Sequence, residues 1–130
     1  MRARLLQVTT ADQIRLELPA HPEYGRVAGI AALHLARRRG FSPRELEELV
    51  TAIDEVVRLL GIGGSEDTLR VDYGGDGTTI VVDARLWPGG ELVVPLDRID
   101  HFGEAAGDLV DDYSVGTDEP RVVFTKGHHS

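Results

Sequence analysis

The stretch Gly40–Leu60, GFSPRELEELVTAIDEVVRLL, decides how the rest of this chain is read. Ser42, Pro43 and Glu45 form an S-x-x-E capping box with proline at the first helical position, so a helix starts here. Leu46, Leu49, Val50, Ile53, Val57 and Leu60 then recur at i, i+3, i+4 and i+7, the stripe of a helix lying on a core. Gly61–Gly64 ends it. At about 100° per residue, Glu55 points roughly opposite that stripe, and Leu59, one turn later, lies close to Glu55 in angle.

Before this helix, Arg2–Thr9 and Gln13–Leu18 read as strands joined by a turn over Thr9–Asp12. Ile14, Leu16 and Leu18 alternate with Arg15 and Glu17, the period of a half-buried strand. A first helix is expected over Pro22–Arg39, with Tyr24, Val27, Ala28, Ala31 and Leu35 on one stripe, Ile30 beside it, and Gly40 as a left-handed stop. After the second helix, Thr68–Tyr73 and Thr78–Leu86 flank Gly74-Gly75-Asp76-Gly77, a hairpin signal. Trp87-Pro88-Gly89-Gly90 breaks the second strand, and Glu91–Leu96 is a short apolar run of open assignment. A third helix is expected over Asp97–Asp112. A last hairpin follows from Tyr113–Val115 and Arg121–Thr125 across Gly116–Pro120. Residues 126–130 read as a polar, frayed tail. One domain over 1–130 accounts for everything. The elements predict an α+β two-layer sandwich: a mixed, mostly antiparallel sheet with three helices on one face.

The 130 residues suffice for a core, and the apolar and charged fractions are those of a globular chain. With no cysteine, disulfides and thiolate metal sites are excluded. No segment has the apolar length of a signal sequence or a membrane span, so a cytoplasmic protein is expected. The net charge of −8 argues against nucleic acid and anionic membranes as partners. The basic run Arg37-Arg38-Arg39 fits a helix C-terminus, where cations complement the macrodipole; a partner-binding patch is the alternative. Asp97, Asp100 and His101, with Asp111 and Asp112 facing them, are weighed as a metal site against a polar helix start. His128-His129 is weighed as a weak chelator, and His34 as a packed or half-exposed residue.

From Ile14 to Lys126 the order of elements resembles the Bergerat-fold (histidine kinase-like, GHKL) ATPases, in particular the anti-sigma-factor serine kinases of bacteria. The carriers are Leu18-Pro19-Ala20, Gly40-Phe41-Ser42, Ala52 with Glu55, Val81-Val82-Asp83, Leu109–Val115 and Val122–Lys126. The resemblance implies a helix-two motif E-x-x-x-N, whose Glu is the general base and whose Asn binds the magnesium of ATP. Two residues four apart share a helix face, so both reach one phosphate–metal group. Glu55 matches the Glu; the Asn position is Leu59. A register shifted by one fails too, since Asp54 would pair with Arg58, a cation.

The family's D-x-G-x-G box, whose Asp contacts adenine, matches here as Asp83 followed by Arg85 and Trp87 in place of both glycines. Trp87 then either plugs the adenine space or covers the core edge. The second glycine box, at the start of helix three, retains Gly103, but Glu104 puts a negative charge where phosphate would dock. The expectation is therefore a non-catalytic relative, a pseudo-kinase acting in transcription regulation by protein–protein contact. Its implied partners are a sigma factor, an anti-sigma antagonist or a second copy of itself, met through helix one and Arg37–Arg39, with no cofactor. The first alternative is an ATP- and magnesium-dependent serine kinase with an atypical site using Glu55, Asp83 and Gly103. The second is an unrelated α+β interaction domain.

Overall fold

The computed structural model describes residues 4–8, 13–61, 67–87, 94–116 and 119–128. The order is β1 (Arg4–Val8), β2 (Ile14–Pro19), a 3-10 turn (Pro22–Tyr24), α1 (Gly25–Arg38), α2 (Pro43–Leu60), β3 (Thr68–Gly74), β4 (Thr79–Trp87), α3 (Leu96–Ala106), a second 3-10 turn (Gly107–Leu109), β5 (Asp112–Val115) and β6 (Arg121–Gly127). Six strands form one sheet in the order β1-β2-β3-β4-β6-β5, and every pairing between them is antiparallel. The two-layer α+β architecture expected from the sequence is what the chain adopts. The turn over residues 9–12, the helix-terminating residues 62–64, residues 88–93 and the turn residues 117–118 lie outside the described residues.

Strand alternation builds the core. Ile14, Leu16 and Leu18 of β2 stand in register with Tyr73, Val71 and Leu69 of β3. These continue into Val82, Ala84 and Leu86 of β4, then into Phe124 and Val122 of β6. All of these side chains are buried, on the face that meets the helices. The intervening residues Arg15, Glu17, Arg70, Asp72, Asp83, Arg85 and Arg121 occupy the outer face, where none is fully buried.

α2 has the cap its sequence specifies: Ser42 Oγ accepts from the Glu45 N–H at 3.2 Å, and Glu45 Oε1 accepts from the Ser42 N–H at 2.8 Å. Its buried band is wider than the periodic stripe, taking in Ala52, Val56 and Leu59, because α3 and the sheet cover it from two sides. α1 ends in a Schellman arrangement, with the Phe41 N–H on the Ala36 carbonyl and the Gly40 N–H on the Arg37 carbonyl. Gly40 takes φ +82°, the left-handed geometry expected of it.

Three boundaries differ from expectation. The buried band of α1 is Gly25, Ala28, Gly29, Ala32, Leu35 and Ala36, while Val27 and Ile30 are exposed. The small residues let α1 lie close on α2, since a Cβ at Gly29 would already touch Val50 at 3.4 Å. α3 stops at Ala106, and Asp112 starts β5 instead of ending a helix. The tail does not begin at Lys126. β6 runs through Gly127, the His128 N–H reaches the Thr78 carbonyl at 2.8 Å, and His128 Nδ1 meets Glu45 Oε1 at 2.6 Å.

A buried polar contact ties β3 to α1 across the core. The Tyr73 hydroxyl donates to the Ala28 carbonyl of α1 at 2.8 Å, and burial pushes its pKa upward. The folded state then holds a proton that the unfolded chain releases above about pH 10, so this contribution to stability is full below that pH and falls as pH rises. Tyr73→Phe should cost about 1 kcal/mol at neutral pH. It should also flatten the loss of stability above about pH 10, read by urea unfolding at stepped pH; an unchanged alkaline slope would refute the assignment.

Candidate functional site

The face of α2 turned toward α3 carries Glu55, Arg58 and Leu59, and α3 answers with Asp97, Arg98, His101 and Phe102. Together they line a cleft of about 480 Å3. Leu59 and Phe102 are buried and form its apolar side. Arg58, Asp97, Arg98 and His101 are exposed at its rim. The Glu55 side chain is 20% exposed and its Oε1 lies 3.9 Å from His101 Nε2, too far for a hydrogen bond. Arg58 turns along its own helix, with Nε on Asp54 Oδ2 at 2.9 Å. That hydrogen bond, then the Asp54 and Glu55 charges, raises the guanidinium pKa. Arg98 Nη1 reaches the Arg58 carbonyl at 3.4 Å, a weak tie between the two helices.

The residues that a magnesium–nucleotide complex would need do not converge on this cleft. Leu59 is 4% exposed, lines the cleft, and has no ligand atom to offer. Asp83 alternates with buried Val82 and Ala84, so its carboxylate lies on the opposite face of the sheet. There it accepts from Arg121 Nε at 2.9 Å and Nη2 at 2.7 Å. This bidentate bond is the leading cause of the raised Arg121 pKa.

Gly103 is not at a helix start. It lies inside α3, where a Cβ would come within 2.7 Å of the Tyr113 hydroxyl. Its lack of a side chain lets the Tyr113 ring pack edge-on to Phe102, 5.3 Å between centroids. The start of α3 has Pro95 at the N-cap and Asp97 in the first turn, and a carboxylate there competes with any phosphate. Trp87 neither plugs a pocket nor covers the core. It is 49% exposed at the end of β4, with the Arg70 guanidinium 4.6 Å from its ring centroid. Glu104 is exposed. The donor set therefore does not fit ATP with magnesium, and no phosphoryl-transfer step follows from it.

The other singled-out residues separate as well. Asp111 does not join Asp97, Asp100 and His101: its Oδ2 accepts from the Gly127 N–H at 2.8 Å. The Asp112 carboxylate accepts from the Tyr113 N–H. Among the described residues no cluster of three or more His, Asp or Glu side chains could hold a metal. His34 is exposed. In the basic run, Arg37 and Arg38 are exposed, whereas Arg39 ties α1 to the β3–β4 turn. Its Nη1 reaches the Thr79 carbonyl at 2.6 Å and its Nη2 the Gly75 carbonyl at 3.1 Å.

Sequence reasoning missed Lys126. Its Nζ, on the inner face of β6, reaches the Leu109 carbonyl at 2.6 Å and Glu48 Oε1 at 3.2 Å. The signal was present: Lys126 continues the alternation of buried Val122 and Phe124. No helix of the described residues is long and apolar enough to cross a membrane. No protein-family model and no curated protein matches the chain.

Two substitutions test this placement. Leu59→Asn, which restores the amide that the resemblance implies, should destabilise by about 3 kcal/mol, because it exchanges buried aliphatic surface for an unpartnered amide. Lys126→Ala should cost about 2 kcal/mol by stranding the Leu109 carbonyl and Glu48. Thermal or urea unfolding reads both, and a near-neutral Leu59→Asn would mean that this flank of α2 is open.

Proposed function

We propose that this chain is a regulatory protein-binding module of the anti-sigma-factor kind, built on a histidine kinase-like scaffold and working in the cytoplasm without nucleotide chemistry. The observation that carries the reading is Leu59, buried in the lining of the α2–α3 cleft at the position where such a kinase needs a magnesium-binding amide. Asp83 held by Arg121 on the far face, and Gly103 enclosed by Tyr113, support it independently. What remains is an acidic two-layer domain with a strip on α1 where Val27, Ile30 and Arg37 are exposed among the described residues. Ile30 is 58% exposed. A sigma factor, an antagonist of anti-sigma factors or a second copy of the chain is the partner for that strip.

The rival reading, an ATP-dependent serine kinase with an atypical site, draws on one observation: Glu55 still borders a cleft of about 480 Å3. Calorimetric titration with ATP and magnesium separates the two. The binding-module reading expects no saturable heat, and a micromolar isotherm abolished by Glu55→Ala would overturn it. An unrelated α+β interaction domain would likewise leave ATP unbound, but it would also fail to bind sigma factors or their antagonists in a panel titration.

A further inference from the structure

On the outer face of the sheet, one guanidinium among the described residues lacks the carboxylate partner that its neighbours have. Two registers of side chains cross it. One runs Glu17–Arg70–Arg85–Arg121 over β2, β3, β4 and β6; the other runs Arg15–Asp72–Asp83 over β2, β3 and β4. These hold four guanidiniums and three carboxylates, and Glu119 brings a fourth carboxylate to 3.5 Å from Arg121. Each carboxylate is taken: Asp72 by Arg15 at 2.7 Å, Glu17 by Arg70 at 2.9 Å and Asp83 by Arg121 at 2.7 Å. Arg85 is left over. Among the described residues it has no ion pair or hydrogen bond, and its direct cross-strand neighbours on both sides are arginines. Like charges directly opposite one another destabilise a sheet, so Arg85 works against the fold that carries it. Two residues along the same strand and face stands Trp87, half-exposed and backed by the Arg70 guanidinium. Arginine and tryptophan are the residue types that dominate binding hot spots.

We propose that this face binds an acidic, extended protein segment running along β4, with a carboxylate on Arg85 and an apolar side chain two residues away on Trp87. In extended chain, residues two apart project from the same face about 7 Å from one another, the spacing that Arg85 and Trp87 present. Nucleic acid is the poorer occupant, because Arg85 alone of these arginines lacks a carboxylate partner, and a polyanion needs several cations to neutralise its phosphates. The surface is distinct from the α2–α3 cleft and from the α1 strip, and stands whether or not the chain is an anti-sigma-type module.

The probe is a blocked eight-residue peptide of alternating Glu and Ser with one central Leu, titrated into the full chain at low ionic strength. Saturable binding that weakens with added salt is expected. Arg85→Thr should weaken it by about tenfold or more, as should Trp87→Ala; Arg85→Lys should retain part of it, and Arg44→Ala, at an exposed arginine of α2, should leave it unchanged. Arg85→Thr should also raise the thermal midpoint by about 1–4 °C through relief of repulsion. No binding, equal loss on Arg44→Ala, or full binding by Arg85→Thr would each overturn the proposal. So would a fall in the Arg85→Thr midpoint, since Arg85 would then be a stabilising residue of the sheet.

Discussion

Helices cover one face of the sheet, and among the described residues no helix covers the other, so β2, β3, β4 and β6 sort their side chains by parity. An uncovered face cannot bury apolar groups, and a covered face cannot hold charge without a partner. Once Val82, Ala84 and Leu86 turn inward, Asp83, Arg85 and Trp87 must turn outward. The same rule sends Lys126 inward with Val122 and Phe124. It is tolerated there because Glu48 and the Leu109 carbonyl receive its ammonium group.

Parity also explains which parts of the molecule were legible in the sequence. The α2 cap, the Gly40 stop, the β3–β4 hairpin and the two-layer class follow from local chemistry, which needs no knowledge of neighbours. The face on which Asp83 points was legible too, since the apolar residues on either side of it declare the inward set; reading it as part of a D-x-G-x-G box ignored them. What could not be read was anything set by the docking of α3. The burial of Leu59, the enclosure of Gly103 by Tyr113 and the lining of the cleft all depend on where a helix distant in sequence lies. The small-residue band of α1 lost to a stripe of larger side chains, because hydrophobicity counts size whereas helix contact here rewards its absence.

Two surfaces of opposite character result. Between α2 and α3, an apolar side formed by Leu59 and Phe102 is rimmed by charges of both signs, an arrangement without the convergent oxygen ligands that magnesium requires. Across the sheet, a lattice of ion pairs leaves Arg85 without one among the described residues. Arg15–Asp72 is exposed and the other two pairs are half-buried; surface pairs add little stability, so the lattice is better understood as holding side chains in defined positions than as cementing the fold.

The strand order has a consequence for how the molecule is assembled. β6 lies between β4 and β5, and β5 has no other neighbour in the sheet. β5 cannot be held in place when it leaves the ribosome; it must wait for the segment that follows it. The β1–β4 half can pair beforehand, but the inner position beside β4 stays vacant until Arg121–Gly127 enters and brings β5 with it. Such non-local closure is slow compared with hairpin formation. Until it happens, the apolar faces of β4 and α2 lack part of their cover, and nascent chains are at their most prone to stick to one another.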